Sequence, residues 1–192
     1  LQEKGELNAA IDSYKQALKI KPDTAEAYNN MGNALKQIGE VNAAIDSCKQ
    51  AIKIMPDYAE AYNNMGLILQ EKGEINAAIE NYKKAIEIMP DYAEAHHNLS
   101  AVKKYNSVDD QVIKMKCIYN NHEINSVRRC LICFALAKVY EDSDNLGKAY
   151  NYLKKGKAKR KKNLSYDIKL DQTIFSNLKK TDLTKPNDTF AS

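Results

Sequence analysis

At 192 residues, 44% apolar and 28% charged, the chain has the make-up of a folded protein of one or two domains. Its longest strongly apolar run, Cys130 to Ala137, is too short to span a bilayer, and the opening LQEKGELNAA lacks the basic start and apolar core of a signal peptide. The net charge of +4 is uneven: residues 1–106 carry 12 Lys+Arg against 15 Asp+Glu, and residues 107–192 carry 17 against 10. Four cysteines without regular spacing argue against a disulfide framework and for a reducing, cytoplasmic setting.

A 34-residue phrase is written three times, from Leu1, Leu35 and Leu69. Self-similarity at that period marks stacked units, none of which buries its apolar face alone. In the copy from Asp23 to Pro56, Ala27, Tyr28, Met31, Ala34, Leu35 and Ile38 recur at spacings of three and four and predict a first helix. Gly39 ends it, because glycine tolerates the left-handed conformation just past a helix. Val41, Ala44, Ile45, Cys48, Ala51 and Ile52 predict a second helix that runs to Pro56. Asp23 and Asp57, each after a proline, suit a turn or an N-cap. Each unit is thus a hairpin of two helices of about 14 residues. Gly32 and Gly66 are expected to face Ala44 and Ala78 within a hairpin, with Ala17, Ala51 and Ala85 between hairpins. Leu1 stands at the place of Leu35 and Leu69, so the chain begins near the end of a first helix and reads as a fragment.

These residues resemble the tetratricopeptide repeat. The pattern aromatic-x2-apolar-Gly-x2-apolar-x8-Ala-x3-aromatic-x2-Ala-x4-Pro is satisfied by Tyr62, Met65, Gly66, Leu69, Ala78, Tyr82, Ala85 and Pro90. Cys48 replaces the second aromatic one copy earlier, and Tyr28 and Tyr62 stand where the family often has Trp. The resemblance implies an all-α, right-handed superhelical solenoid of antiparallel helix pairs. It also implies a concave groove, lined by first helices, that binds a protein or peptide.

Past Pro90 the pattern decays. Asp91 to Tyr105 reads as another first helix with Ser100 in place of the small Gly and Lys103 in place of the Leu. Ser107-Val-Asp-Asp110 is a capping-box-like start to a shorter helix reaching about Tyr119, with Val112, Met115 and Ile118 or Tyr119 inward. A helix from Ser126 to Glu141 and a partner from Asn145 to Lys161 form a divergent fifth repeat, with Asp144 in the loop where Gly is usual. The organisation expected is regular repeats over 1–106, divergent helices over 107–163, a capping helix over 164–180 and a disordered tail over 181–192.

The stretch from Phe134 to Lys180 is similar to the segment joining repeats to catalytic domain in bacterial tetratricopeptide-repeat sulfotransferases. Phe134-Ala135-Leu136-Ala137, Tyr140-Glu141-Asp142, Lys148-Ala149-Tyr150 and Tyr166-Asp167 carry the likeness. It implies that the parent protein could be a sulfotransferase using a phosphosulfate donor, with this chain as its docking or regulatory arm. These residues contain neither that family's PxRSGT-type loop nor another Gly-rich phosphate cradle, so this chain is not expected to be an enzyme or to bind a cofactor.

The candidate groove residues are Asn29, Asn30, Asn33, Lys36, Asn63, Asn64, Gln70, His97 and Asn98. The asparagines recur at the repeat spacing away from the apolar stripe, and an amide offers both donor and acceptor to a peptide backbone. The resemblance implies such a use, since sugar-transferring members of the family hold peptides on an asparagine ladder. Alternatively, Asn30, Asn64 and Asn98 simply bond neighbouring helices, which leaves Asn29, Asn63 and His97 as the more exposed candidates. A clamp for a terminal carboxylate is not expected. Glu26, Glu60, Glu94, Leu67 and Ala101 occupy groove positions, and Lys36 and Lys104 are the only cations there.

Cys130 and Cys133, with Cys117 and His122 nearby, have a metal-like spacing, but the pair lies in an apolar helical run and is expected to pack in the core. The run Lys154 to Lys162 could hold nucleic acid or an acidic membrane. It lacks interleaved aromatics and ends a helix, where cations suit the macrodipole, so neither partner is expected. The open first edge could pair with another chain. The sequence thus points to a scaffold module with a peptide in its groove.

Overall fold

The computed structural model describes residues 2–106 and 109–163, and every element among them is helical. The helices are α1 (Gln2–Ile20), α2 (Ala25–Gln37), α3 (Val41–Ile54), α4 (Ala59–Glu71), α5 (Ile75–Ile88), α6 (Ala93–Val102), α7 (Asp110–Asn120), α8 (Ser126–Asp142) and α9 (Leu146–Asn163). They stack as an all-α solenoid in which α2–α3 and α4–α5 form antiparallel pairs. None is long and apolar enough to cross a membrane. The expected capping helix and tail lie outside the described residues.

The turns follow from the punctuation. Gly39 and Gly73 have φ of 87° and 86°. That conformation lets the N–H of Glu40 reach the carbonyl of Leu35, and that of Glu74 the carbonyl of Leu69, both at 2.9 Å. Asp144 does the same work at φ 55°, with the Asn145 N–H 2.8 Å from the Tyr140 carbonyl. At the other end of each unit, Met55 and Met89 are extended because a proline follows. The capping positions are Thr24, Tyr58 and Tyr92, and none of these side chains caps its helix. Asp23 and Asp57 therefore serve the turn and not the cap. Gly5, in register with Gly39, makes no turn: α1 runs through it, so residues 2–5 extend the second helix and do not end a first one.

Small residues set the spacing. Ala44, Ala51, Ala78 and Ala85 are fully buried. A Cβ on Gly32 would lie 2.9 Å from Cys48 Sγ and 3.2 Å from the Ala44 carbonyl oxygen. On Gly66 it would lie 2.5 Å from the Tyr82 ring, so the neighbour of Gly66 is that ring, not Ala78 as the spacing suggested. The reason is side-chain direction. A long side chain on a helix leans back over the preceding turn, which brings the Tyr82 ring over Ala78.

The fourth unit departs from this plan. α7 is capped by Asp109, whose Oδ1 accepts from the Val112 N–H at 3.1 Å, two residues after the expected box begins. It packs only lightly on α6, and α8 takes most of that face instead. Tyr105, fully buried at the junction, donates its N–H to Asp142 Oδ2 at 3.2 Å and its hydroxyl to Gln111 Oε1 at 2.7 Å. Val112, Met115 and Ile118 then share a core with Ile132, Ala135, Leu136 and Val139. Cys130 and Cys133 are buried in α8, where the Cys130 thiol donates to the Gly156 carbonyl at 3.3 Å.

His96 replaces the half-buried tyrosines of the earlier units and is fully buried. Its Nε2 lies 2.9 Å from the Pro90 carbonyl, and its Nδ1 has no hydrogen-bond partner among the described residues. Burial holds its pKa below the ordinary value, Lys114 adding to the shift while the Pro90 carbonyl and Asp91 oppose it. The neutral ring therefore belongs to the fold, and the unfolded chain binds the extra proton. Stability should be full above about pH 6.5 and fall as the pH drops below it, by at most about 1.4 kcal/mol per pH unit for one proton. His96→Gln, which keeps a donor for Pro90, should flatten that part of the profile in urea melts between pH 7.5 and 5.5. An unchanged profile would place the acid sensitivity elsewhere.

Candidate functional site

First helices of successive units touch one another, α2 with α4 and α4 with α6, whereas the second helices make little or no such contact. The stack therefore closes toward its first helices, and these line the inner face. The asparagines lie here. Asn64 Nδ2 donates to Asn29 Oδ1 at 2.9 Å, and Asn98 Nδ2 donates to Asn63 Oδ1 at 2.9 Å. Asn29 Nδ2 also lies 3.4 Å from the Tyr58 hydroxyl.

This ladder reverses the expected exposure. Asn29 and Asn63 are only 5% and 4% exposed, because the next first helix covers them and bonds to them. Asn64 and Asn98 are half-buried, and their Oδ1 atoms accept no hydrogen bond among the described residues. Asn30 and Asn33 are exposed. Lys36 and Gln70 are engaged already: Lys36 Nζ lies 3.5 Å from Glu71 Oε1 in the next unit, and Gln70 Oε1 accepts from the Tyr82 hydroxyl at 2.7 Å. Beneath Lys36 the Cys48 thiol is pushed up to about 12 by burial, with Lys36 opposing, which keeps it protonated and unreactive.

His97 stands in register with Asn29 and Asn63, but its surroundings differ. It is half-buried, its ring centroid 6.4 Å from that of Phe134 on α8. Beside this contact a recess of about 460 Å³ opens between α6, α8 and α9. Ala101, Phe134, Ala137 and Leu153 give it an apolar floor, and Lys138, Glu141 and Asp142 rim it. Lys138 and Asp142 form an ion pair at that rim. Sequence reading placed Ala101 at a groove position but missed Phe134 as a site residue. The available signal was the loss of Gly and Leu at Ser100 and Lys103, which unseats α7 and lets α8 approach α6. A second recess, of about 560 Å³, lies between the turn at Pro90, α7 and the start of α8, away from the ladder.

The site therefore offers a row of amide oxygens leading to an apolar recess. Asn63→Ala should lower stability by about 1–2 kcal/mol, since it strips a buried partner from Asn98, whereas exposed Asn30→Ala should stay within about 0.5 kcal/mol of the parent. Urea unfolding measures both, and equal effects would contradict the ladder geometry.

A family profile described as TPR repeat matches residues 1–39, 32–73 and 66–106. No curated protein matches the chain. Among solved structures, MamA is 27% identical, with 86% of this chain and 95% of its own covered at a TM-score of 0.58. TTC0263, a thermophilic TPR protein of Thermus thermophilus, is 21% identical over 92% of both chains at a TM-score of 0.60. BtubC from P. vanneervenii is 19% identical over 86% of this chain and 78% of its own at 0.65. For the last two the likeness is one of fold alone.

Proposed function

The chain belongs to the tetratricopeptide repeat family, and we propose that it is a protein-interaction scaffold that holds an extended peptide along its inner face. The recess between α6, α8 and α9 carries this reading. An aliphatic or aromatic side chain of the peptide fills the space over Ala101, Phe134 and Leu153. Backbone N–H groups of the same peptide donate to the outward oxygens of Asn64 and Asn98. Asn29 and Asn63 hold those amides in place and do not touch the peptide. No part of this arrangement pairs a nucleophile with a base, and amide oxygens beside an apolar recess are suited to binding.

Affinity built from such modest contacts is micromolar, about −8 kcal/mol. The test is selection of phage-displayed dodecapeptides on the immobilised chain, followed by calorimetry of an enriched peptide. Ala101 is exposed, so Ala101→Phe fills the recess without disturbing the core. That variant should lose at least about tenfold in affinity, or 1.4 kcal/mol, with little change in Tm. Binding equal to the parent would refute the recess as the anchor.

A further inference from the structure

The fold gathers a second set of residues away from the inner face. Tyr119 of α7, Tyr140 of α8 and Tyr152 of α9 meet in one cluster. Tyr152 stacks on Tyr140 at 5.6 Å and 8°, and meets Tyr119 edge-on at 5.5 Å and 78°. Three ammonium groups stand over these rings. Lys116 Nζ is 5.8 Å and Lys148 Nζ 5.4 Å from the Tyr140 centroid, and Lys155 Nζ is 5.5 Å from both Tyr119 and Tyr152. The negative ring faces hold these cations in place.

The charge around the cluster is one-sided. In the repeats, Lys15, Lys49, Lys72, Lys83 and Lys84 each pair with a carboxylate. Among the described residues Lys116, Lys148 and Lys155 make no ion pair, and Lys148 and Lys155 are exposed. α9 carries eight cations and no acidic residue. Its positions 148, 152 and 155 recur at spacings of four and three, so they share one stripe about 11 Å long. The run Lys154 to Lys162 has no interleaved aromatics in sequence. In space, α7 and α8 supply them.

We propose that this face, centred on Lys116, Tyr119, Lys148, Tyr152 and Lys155, binds single-stranded nucleic acid. The stripe tracks the phosphates, and the half-buried rings of Tyr119 and Tyr152 give a base an aromatic surface at its centre. A duplex keeps its bases inside and uses only the charge. A membrane would need a row of large exposed apolar side chains on this face, but Ala149 and Leu153 are buried in the protein and the exposed Ala158 offers only a methyl group.

Fluorescence anisotropy of labelled 20-mers of oligo(U) and oligo(dT) with the whole chain tests this. The expected result is micromolar binding in 50 mM salt that weakens at least about tenfold by 200 mM, with a duplex of equal length binding less well. Lys148→Glu with Lys155→Glu should cut single-strand affinity at least tenfold and lower the salt slope by about 1.4, two phosphate contacts' worth. Lys83→Glu with Lys84→Glu on α5, the same charge change elsewhere, should do far less. Tyr119→Leu, which keeps bulk and charge but removes a ring, should weaken single strands by about tenfold and leave duplex binding unchanged. The proposal is overturned by any of four outcomes. Neither 20-mer binds in 50 mM salt; the two charge reversals act equally; a polyglutamate peptide competes as well as the oligonucleotide, which would assign the face to an acidic protein; or phosphatidylserine vesicles bind while the strands do not.

Discussion

The stack depends on a missing side chain opposite an aromatic ring. Gly66 leaves the space that the Tyr82 ring occupies, and a Cβ there would lie 2.5 Å from the ring, so the ring or its helix would have to shift. Once the two helices are that close, Ala78 and Ala85 meet their neighbours with no accessible surface. The Tyr82 hydroxyl can then reach Gln70 at 2.7 Å. The preceding unit solves the same problem with less: Cys48 lies where Tyr82 does, and Lys36, where Gln70 does, turns instead to Glu71 of the next unit. Both solutions keep the pair spacing, so the first helices remain in step and their amides can bond from unit to unit.

Where that opposition is lost, the architecture changes, and the change creates both the recess and the aromatic cluster. Ser100 fills the glycine position and satisfies itself on the His97 carbonyl at 2.7 Å. Without a place for a ring, α7 cannot seat on α6 as α5 seats on α4. α8 moves in, bringing Phe134 against His97 and leaving the recess that carries the peptide-binding proposal. The displaced α7 brings Tyr119 to the tyrosines of α8 and α9, where an acid-free helix begins. The regular repeats thus act as the support on which the divergent unit builds both features.

The legible part of this fold was local. Gly39, Gly73 and the prolines dictate turns through backbone geometry alone, and Asp144 could be recognised as a turn residue because it sits in the same place. Helical periodicity placed Ala44 and Ala78 inside. What the sequence did not yield depends on which unit covers which. Asn29 and Asn30 look interchangeable as letters, yet the next first helix buries Asn29 and leaves Asn30 exposed. Gly66 and Ala78 have the right spacing to face each other, but the direction of a tyrosine ring decides the contact. The aromatic cluster joins residues 119, 140 and 152 from three helices, which no short-range pattern signals.

A double-mutant cycle on Gly66→Ala and Tyr82→Ala, read by urea unfolding, tests the opposition most directly. In the parent, Gly66→Ala should cost about 1–3 kcal/mol by overpacking, despite the gain of up to about 1 kcal/mol that alanine brings to a helix. In the Tyr82→Ala background the clash is gone, so the same change should be neutral or stabilising, with a coupling of at least about 1 kcal/mol. Equal effects of Gly66→Ala in both backgrounds would contradict the account.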